Sequence, residues 1–196
     1  KQKSFGLVFA PTGNFNVSLD WWEIERINTI RTPNQATLIA NYDLFTANWI
    51  RNASGEITGI DRRFINSGGT LISGVELDAN LTGELAGGRW RLNLNGSYID
   101  NFQEKPLETS PYGKNLVGKY VRYYSLPLKW KHTLSFGWAK GDWAHTLTQV
   151  YRAGYKDELP PSVANGSYIP ENWNPDVDDY ITYNYSLTWN STESTK

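Results

Sequence analysis

The chain has 196 residues, with 19 Lys plus Arg against 20 Asp plus Glu, two His and no Cys. The near-neutral balance points to no nucleic-acid or acidic-lipid surface, and the lack of Cys excludes disulfides, Cys-ligated zinc, iron–sulfur clusters and thiol nucleophiles. No window approaches the roughly eighteen apolar residues of a membrane helix, so a membrane role survives only as a β-barrel, whose alternation hides its apolar half from averaged hydropathy.

Side chains on a strand alternate between faces, and apolar–polar alternation recurs along the chain. It opens with Phe5, Leu7 and Phe9 against Ser4, Gly6 and Val8, followed by the tight-turn sequence Pro11-Thr12-Gly13-Asn14. Phe15, Val17, Leu19 and Trp21 define a second strand, whose pattern blurs after Trp22. A long insert follows, with a short helix expected within Asn34 to Trp49 carrying Leu38, Tyr42 and Phe45 on one side. Leu71 to Leu81 and Trp90 to Tyr98 then form a long hairpin across a Gly-rich break. After a loop rich in Pro, Gly, Lys and Tyr, Trp130 to Trp138 alternates again, and Ala139-Lys140-Gly141-Asp142 turns the chain. The sixth strand has an unclear register, because Leu147 and Val150 fall on opposite parities; a bulge is one explanation. A third loop carries Pro160-Pro161, Pro170 and Pro175 before Tyr183, Tyr185, Leu187 and Trp189 close the pattern. Seven strands are expected, at about 3–10, 14–27, 59–82, 88–102, 128–139, 142–154 and 177–190.

Short and long connections alternate, which puts all short turns at one end of the sheet and all long loops at the other. Outer-membrane barrels have this asymmetry. The fold expected is an all-β, antiparallel, up-and-down transmembrane β-barrel segment with short periplasmic turns and long extracellular loops. In it Val75, Leu77, Leu92 and Leu94 form a lipid-facing wall. Trp21, Trp90, Trp130, Trp138 and Trp143 form interfacial belts at the strand ends, where amphipathic rings meet water. A chain that opens inside a strand pattern, with no starting Met or signal peptide, is expected to be an internal piece of a longer protein. Seven strands do not close a single-chain bacterial barrel, so the remaining strands are expected from elsewhere. The rival reading is a secreted carbohydrate-binding β-sandwich, with shorter strands, a closed soluble core and its aromatics on one platform.

Several stretches resemble the C-terminal barrel region of TonB-dependent outer-membrane receptors. They are Ser4 to Trp22 (SFGLVFAPTGNFNVSLDWW), Asn66-Ser67-Gly68 with Gly74-Val75-Glu76-Leu77, Trp90 to Tyr98, Pro127 to Trp143, Gln149 to Asp157 and Tyr180 to Trp189. The resemblance covers most of the chain and spares the long loops. It implies energy-coupled uptake of a scarce nutrient (a ferric siderophore, haem, cobalamin or an oligosaccharide) at the outer membrane of a Gram-negative bacterium. The implied partners are outer-membrane lipid, the receptor's own plug domain and remaining strands, and the TonB complex, reached through an N-terminal TonB-box region. Neither a plug, a TonB box nor the family's last two strands is found in this sequence.

Candidate ligand contacts lie in the long loops. Arg62 and Arg63 suit an anionic group, and Tyr112, Tyr123 and Tyr124, like Tyr42, Trp49 and Tyr120, suit stacking on sugar or catecholate rings. The carboxylate pairs Glu23/Glu25, Glu76/Asp78 and Asp178/Asp179 are explained more simply as polar residues meeting water or Arg than as acid–base machinery. His132 and His145 flank one short turn, where a belt position explains them better than a metal pair. No GxGxxG, Walker, HExxH or GxSxG motif is present, so neither catalysis nor a cofactor is expected.

Overall fold

The computed structural model describes residues 1–33, 35–66, 68–120 and 126–190. Seven long strands form one sheet: β1 (Gln2–Thr12), β2 (Phe15–Ile27), β3 (Gly69–Leu85), β4 (Gly88–Lys105), β5 (Trp130–Lys140), β6 (Trp143–Arg152) and β7 (Tyr180–Trp189). Their order in the sheet is their order in the chain, an up-and-down meander. β3 and β4 run for 17 and 18 residues, about three times the usual strand. The turn between them needs only Ala86 and Gly87, both at positive φ (53° and 74°), as a two-residue primed hairpin turn requires.

The register keeps the alternation in phase across strands. Trp90, Leu92 and Leu94 stand opposite Trp138, Phe136 and Leu134. Leu147 stands opposite Phe136 on one side and Tyr185 on the other. β6 pairs without interruption with both neighbours, so a bulge is not the explanation of its mixed parity. Val150 simply faces the polar side, between Thr133 and Thr182.

Two strand starts differ from expectation. The third strand begins at Gly69, not near residue 59, because Ile57–Ile60 pairs locally with Trp49–Arg51. The Asn52 side chain closes that small hairpin by accepting from the backbone N–H of Ser54 and Glu56. Ile65–Asn66 pairs likewise with Ile30–Arg31. The seventh strand begins at Tyr180, because Asp176–Val177 pairs with Tyr155–Lys156.

The chain divides into two compact units, one of residues 2–23, 72–102 and 116–196 and one of residues 24–71 and 103–115 with Lys1. The unit built on the insert holds a short helix, α1 (Gln35–Ala40), then 3-10 turns at Tyr42–Leu44 and Thr46–Asn48. Leu38 and Phe45 are buried there as the expected helical side requires, but the α-helix ends at Ala40 and Tyr42, in the 3-10 turn beyond it, is exposed.

Candidate ligand-facing loops and outer wall

Among the described residues the buried hydrophobic side chains are Leu38, Phe45 and Phe102 alone. Among the described residues the apolar parity of the seven strands is therefore not packed into a core of this chain. Phe5, Leu7 and Phe9 are each at least 60% exposed, and Leu147, Tyr185 and Leu187 about half or more. Val75, Leu77, Leu92 and Leu94 are half-buried.

Aromatic rings cap both ends of this parity. At the short-turn end Trp90 stands opposite Trp138, and Trp143 opposite Trp189 with ring centroids 5.8 Å apart. At the other end Trp130 stands opposite Tyr98, while Trp21 lies partly exposed on β2. From Trp90 to Tyr98 is roughly 26 Å of strand, which at a tilt of about 40° projects to roughly 20 Å of an apolar band about 25 Å tall. A line of polar atoms on this parity is hydrogen-bonded. Trp130 Nε1 donates to His132 Nδ1 (2.8 Å), His132 Nε2 meets Gln149 Oε1 (2.9 Å), and Gln149 Nε2 donates to the Tyr183 hydroxyl (2.9 Å). His145 instead meets the Tyr185 hydroxyl at 2.7 Å. The two histidines thus have separate partners and do not form a pair.

The opposite parity is a hydrogen-bonded polar surface. Ser97 donates to Glu76 (2.9 Å), Asn95 to Asp78 (3.0 Å) and Asn80 to Asp78 (2.8 Å). Ser97 and Asn95 hold these carboxylates from across the β3–β4 hairpin and Asn80 from along β3, a structural role for the Glu76/Asp78 pair.

The loop residues singled out in the sequence are placed as follows. Arg62 Nε donates to the Pro33 carbonyl (3.1 Å). Arg63 forks onto Asp61 through Nε and Nη2 (3.0 and 2.6 Å) while its side chain stays exposed. That guanidinium holds the Asp61 carboxyl below the usual carboxylate range, and Asp61 in turn raises Arg63. The Tyr112 hydroxyl donates to Glu25 (3.0 Å), and the Lys105 ammonium lies 5.1 Å from the ring centroid. Desolvation, then the hydrogen bond and charge of Glu25, push the Tyr112 phenol up to about 12. Arg62, Arg63 and Tyr112 thus engage Pro33, Asp61 and Glu25 respectively. Tyr123 and Tyr124 lie outside the described residues. Two of the stacking candidates, Tyr42 and Trp49, come together at the Trp49–Arg51 hairpin, joined by Arg51, which the sequence did not single out. Tyr42 packs on Trp49 (5.0 Å between centroids), and Arg51 both hydrogen-bonds the Tyr42 hydroxyl and lies over its ring. Only the fold of the insert brings Arg51 to that pair.

A model of the TonB dependent receptor-like β-barrel matches residues 1–195. The chain belongs to this family. Its structure is similar to the crystal structure of the siderophore receptor PirA from Acinetobacter baumannii, with a TM-score of 0.53 and 16% sequence identity. The match covers 96% of this chain and 25% of that one, so the chain spans a quarter of that receptor's length. No curated protein matches in sequence. The sheet is accordingly an antiparallel, up-and-down segment of a TonB-dependent receptor barrel. Its three short turns, between β1 and β2, β3 and β4, and β5 and β6, fall at one end of the meander, and its three long connections fall at the other.

Proposed function

We propose that this chain is part of the wall and outer loops of an outer-membrane, TonB-dependent receptor for energy-coupled uptake of a scarce nutrient in a Gram-negative bacterium. The observation that carries the membrane part is the exposed apolar parity, bounded by aromatic rings at both ends, in a chain with three buried hydrophobic side chains among its described residues. A soluble carbohydrate-binding sandwich of this size would bury one face of each strand, and these strands do not. In this reading Val75, Leu77, Leu92 and Leu94 face lipid, and Trp21, Trp90, Trp130, Trp138 and Trp143 sit at the two interfaces. The plug and the TonB contact belong to the rest of the receptor.

The ligand class is a ferric siderophore, haem, cobalamin or an oligosaccharide, met first by the long loops. Arg63, exposed beside its fork to Asp61, and the Tyr42–Trp49–Arg51 platform are the ligand-facing groups of the insert. Arg62, Tyr112, Tyr123 and Tyr124 complete the loop candidates. The test is uptake of labelled ferric siderophore, haem, cobalamin and oligosaccharide by cells with and without the full-length gene, and with TonB inactivated. Uptake of one of them that needs both supports the reading. A full-length protein that is soluble without detergent, and migrates on gels independently of heating, contradicts it.

A further inference from the structure

On the polar parity, Lys131 and Arg152 stand directly opposite each other on β5 and β6. Directly opposite residues share a face with Cβ atoms about 5 Å apart, and like charges there repel. Both side chains are exposed, and among the described residues neither forms an ion pair. On the other flank of Lys131 stands Ser97, and the carboxylate beyond it, Glu76, is engaged by the Ser97 hydroxyl. A cavity of about 310 Å³ opens over this row, lined by Glu76, Asn95, Ser97, Lys131, Thr133 and Arg152 among others. Two cations share this cross-strand position and meet one lining carboxylate, Glu76, beyond the intervening β4, so the row keeps an excess of positive charge facing a cavity with hydroxyl and amide donors, and an entering anion offsets it.

We propose that Lys131 and Arg152 form a binding site for a soluble oxyanion, a carboxylate or phosphate group, on the polar face of the sheet. The Arg fork supplies two parallel N–H donors to such a group and the Lys ammonium a compact charge beside it, with the Thr133 hydroxyl within the same cavity. The site stands on side-chain placement alone. Only its assignment to the passage of a nutrient rests on the uptake reading, and there it selects a ligand bearing free carboxylate or phosphate groups.

The experiment is thermal unfolding of the full-length receptor in detergent, titrated with citrate or inorganic phosphate against chloride at matched ionic strength. Citrate and phosphate are expected to raise Tm in a saturable way. Lys131→Gln and Arg152→Gln are each expected to raise Tm in chloride, by relieving repulsion, and to weaken half-saturation by about tenfold or more, the order seen when one charged hydrogen-bond partner is lost. Arg152→Lys should keep part of the response. Equal behaviour of citrate, phosphate and chloride would overturn the site. A receptor insensitive to citrate, whose Tm in chloride falls on Lys131→Gln, would also overturn it, by showing that a carboxylate of the receptor itself holds the pair. Lost uptake with an intact citrate response would count against the transport reading and leave the site standing.

Discussion

The six-membered ring of Trp130 covers Gly96 on the adjacent strand, where a Cβ would collide with it. Trp130 is paired directly with Tyr98 and holds its ring by donating to His132, so the ring cannot swing aside without losing that bond. Gly96→Ala should therefore cost about 1–3 kcal/mol by overpacking, read by urea unfolding of the folded receptor. A Gly96→Ala/Trp130→Leu double variant should recover most of the loss relative to Trp130→Leu alone. Additive costs would show that the ring and the glycine do not constrain each other.

The line of bonds from Trp130 through His132 and Gln149 to Tyr183 gives a sharper prediction about environment. Trp130 offers only a donor, so His132 Nδ1 accepts and its Nε2–H donates to Gln149. On a surface away from water, removing one partner strands the other at about 1–3 kcal/mol, whereas removing both is close to neutral. His132→Leu and Gln149→Leu are each expected to destabilise, and the double variant to be no worse than either. A double-mutant cycle measures this coupling, and simple additivity would place these groups in water.

Tyr112 carries the pH dependence. Its phenol is raised to about 12 by desolvation first and Glu25 second, so the folded state favours the protonated form. The stabilisation is fully present below about 10, the ordinary tyrosine value, and disappears as pH rises through about 12. Glu25→Gln should move the phenolate absorbance midpoint downward while leaving part of the desolvation shift. A Tyr112 titration unchanged by Glu25→Gln would break the assignment.

Substitutions on the two parities should separate cleanly. Leu77→Arg and Leu92→Arg are expected to block assembly, at about 2–4 kcal/mol near the bilayer midplane. Asn93→Ala, on the polar parity, should be mild. Heat-modifiable migration of outer-membrane fractions reads the difference, and equal damage from both sets would remove the distinction between the faces.

Alternation within one strand was enough to read β1, β2, β4, β5 and their faces, because each side chain reports its own parity. What it could not read depended on partners. The parity of Leu147 against Val150 resolves only when β6 is set beside Phe136 and Tyr185. The alternating stretch before Gly69 belongs to a local hairpin because Asn52 closes a turn far from the main sheet. The Gly-rich break looked longer than it is, since two residues at positive φ suffice to turn the chain. In the loops, Arg62 and Tyr112 were visible as chemistry-bearing types, but their pairing with Pro33 and Glu25 required the tertiary fold. The Lys131–Arg152 pair needed the β5–β6 register for the same reason.

The outward orientation of the apolar parity is tested most directly by single nitroxide labels, which the absence of native Cys in this chain allows without background from it. With the receptor in lipid vesicles, labels at Leu77→Cys and Leu94→Cys should collide readily with oxygen and hardly with a water-soluble nickel chelate. Labels at Asn93→Cys and Thr133→Cys should show the reverse. If all four positions favour the nickel chelate, or if the leucine positions are shielded from both reagents, the apolar face does not meet lipid.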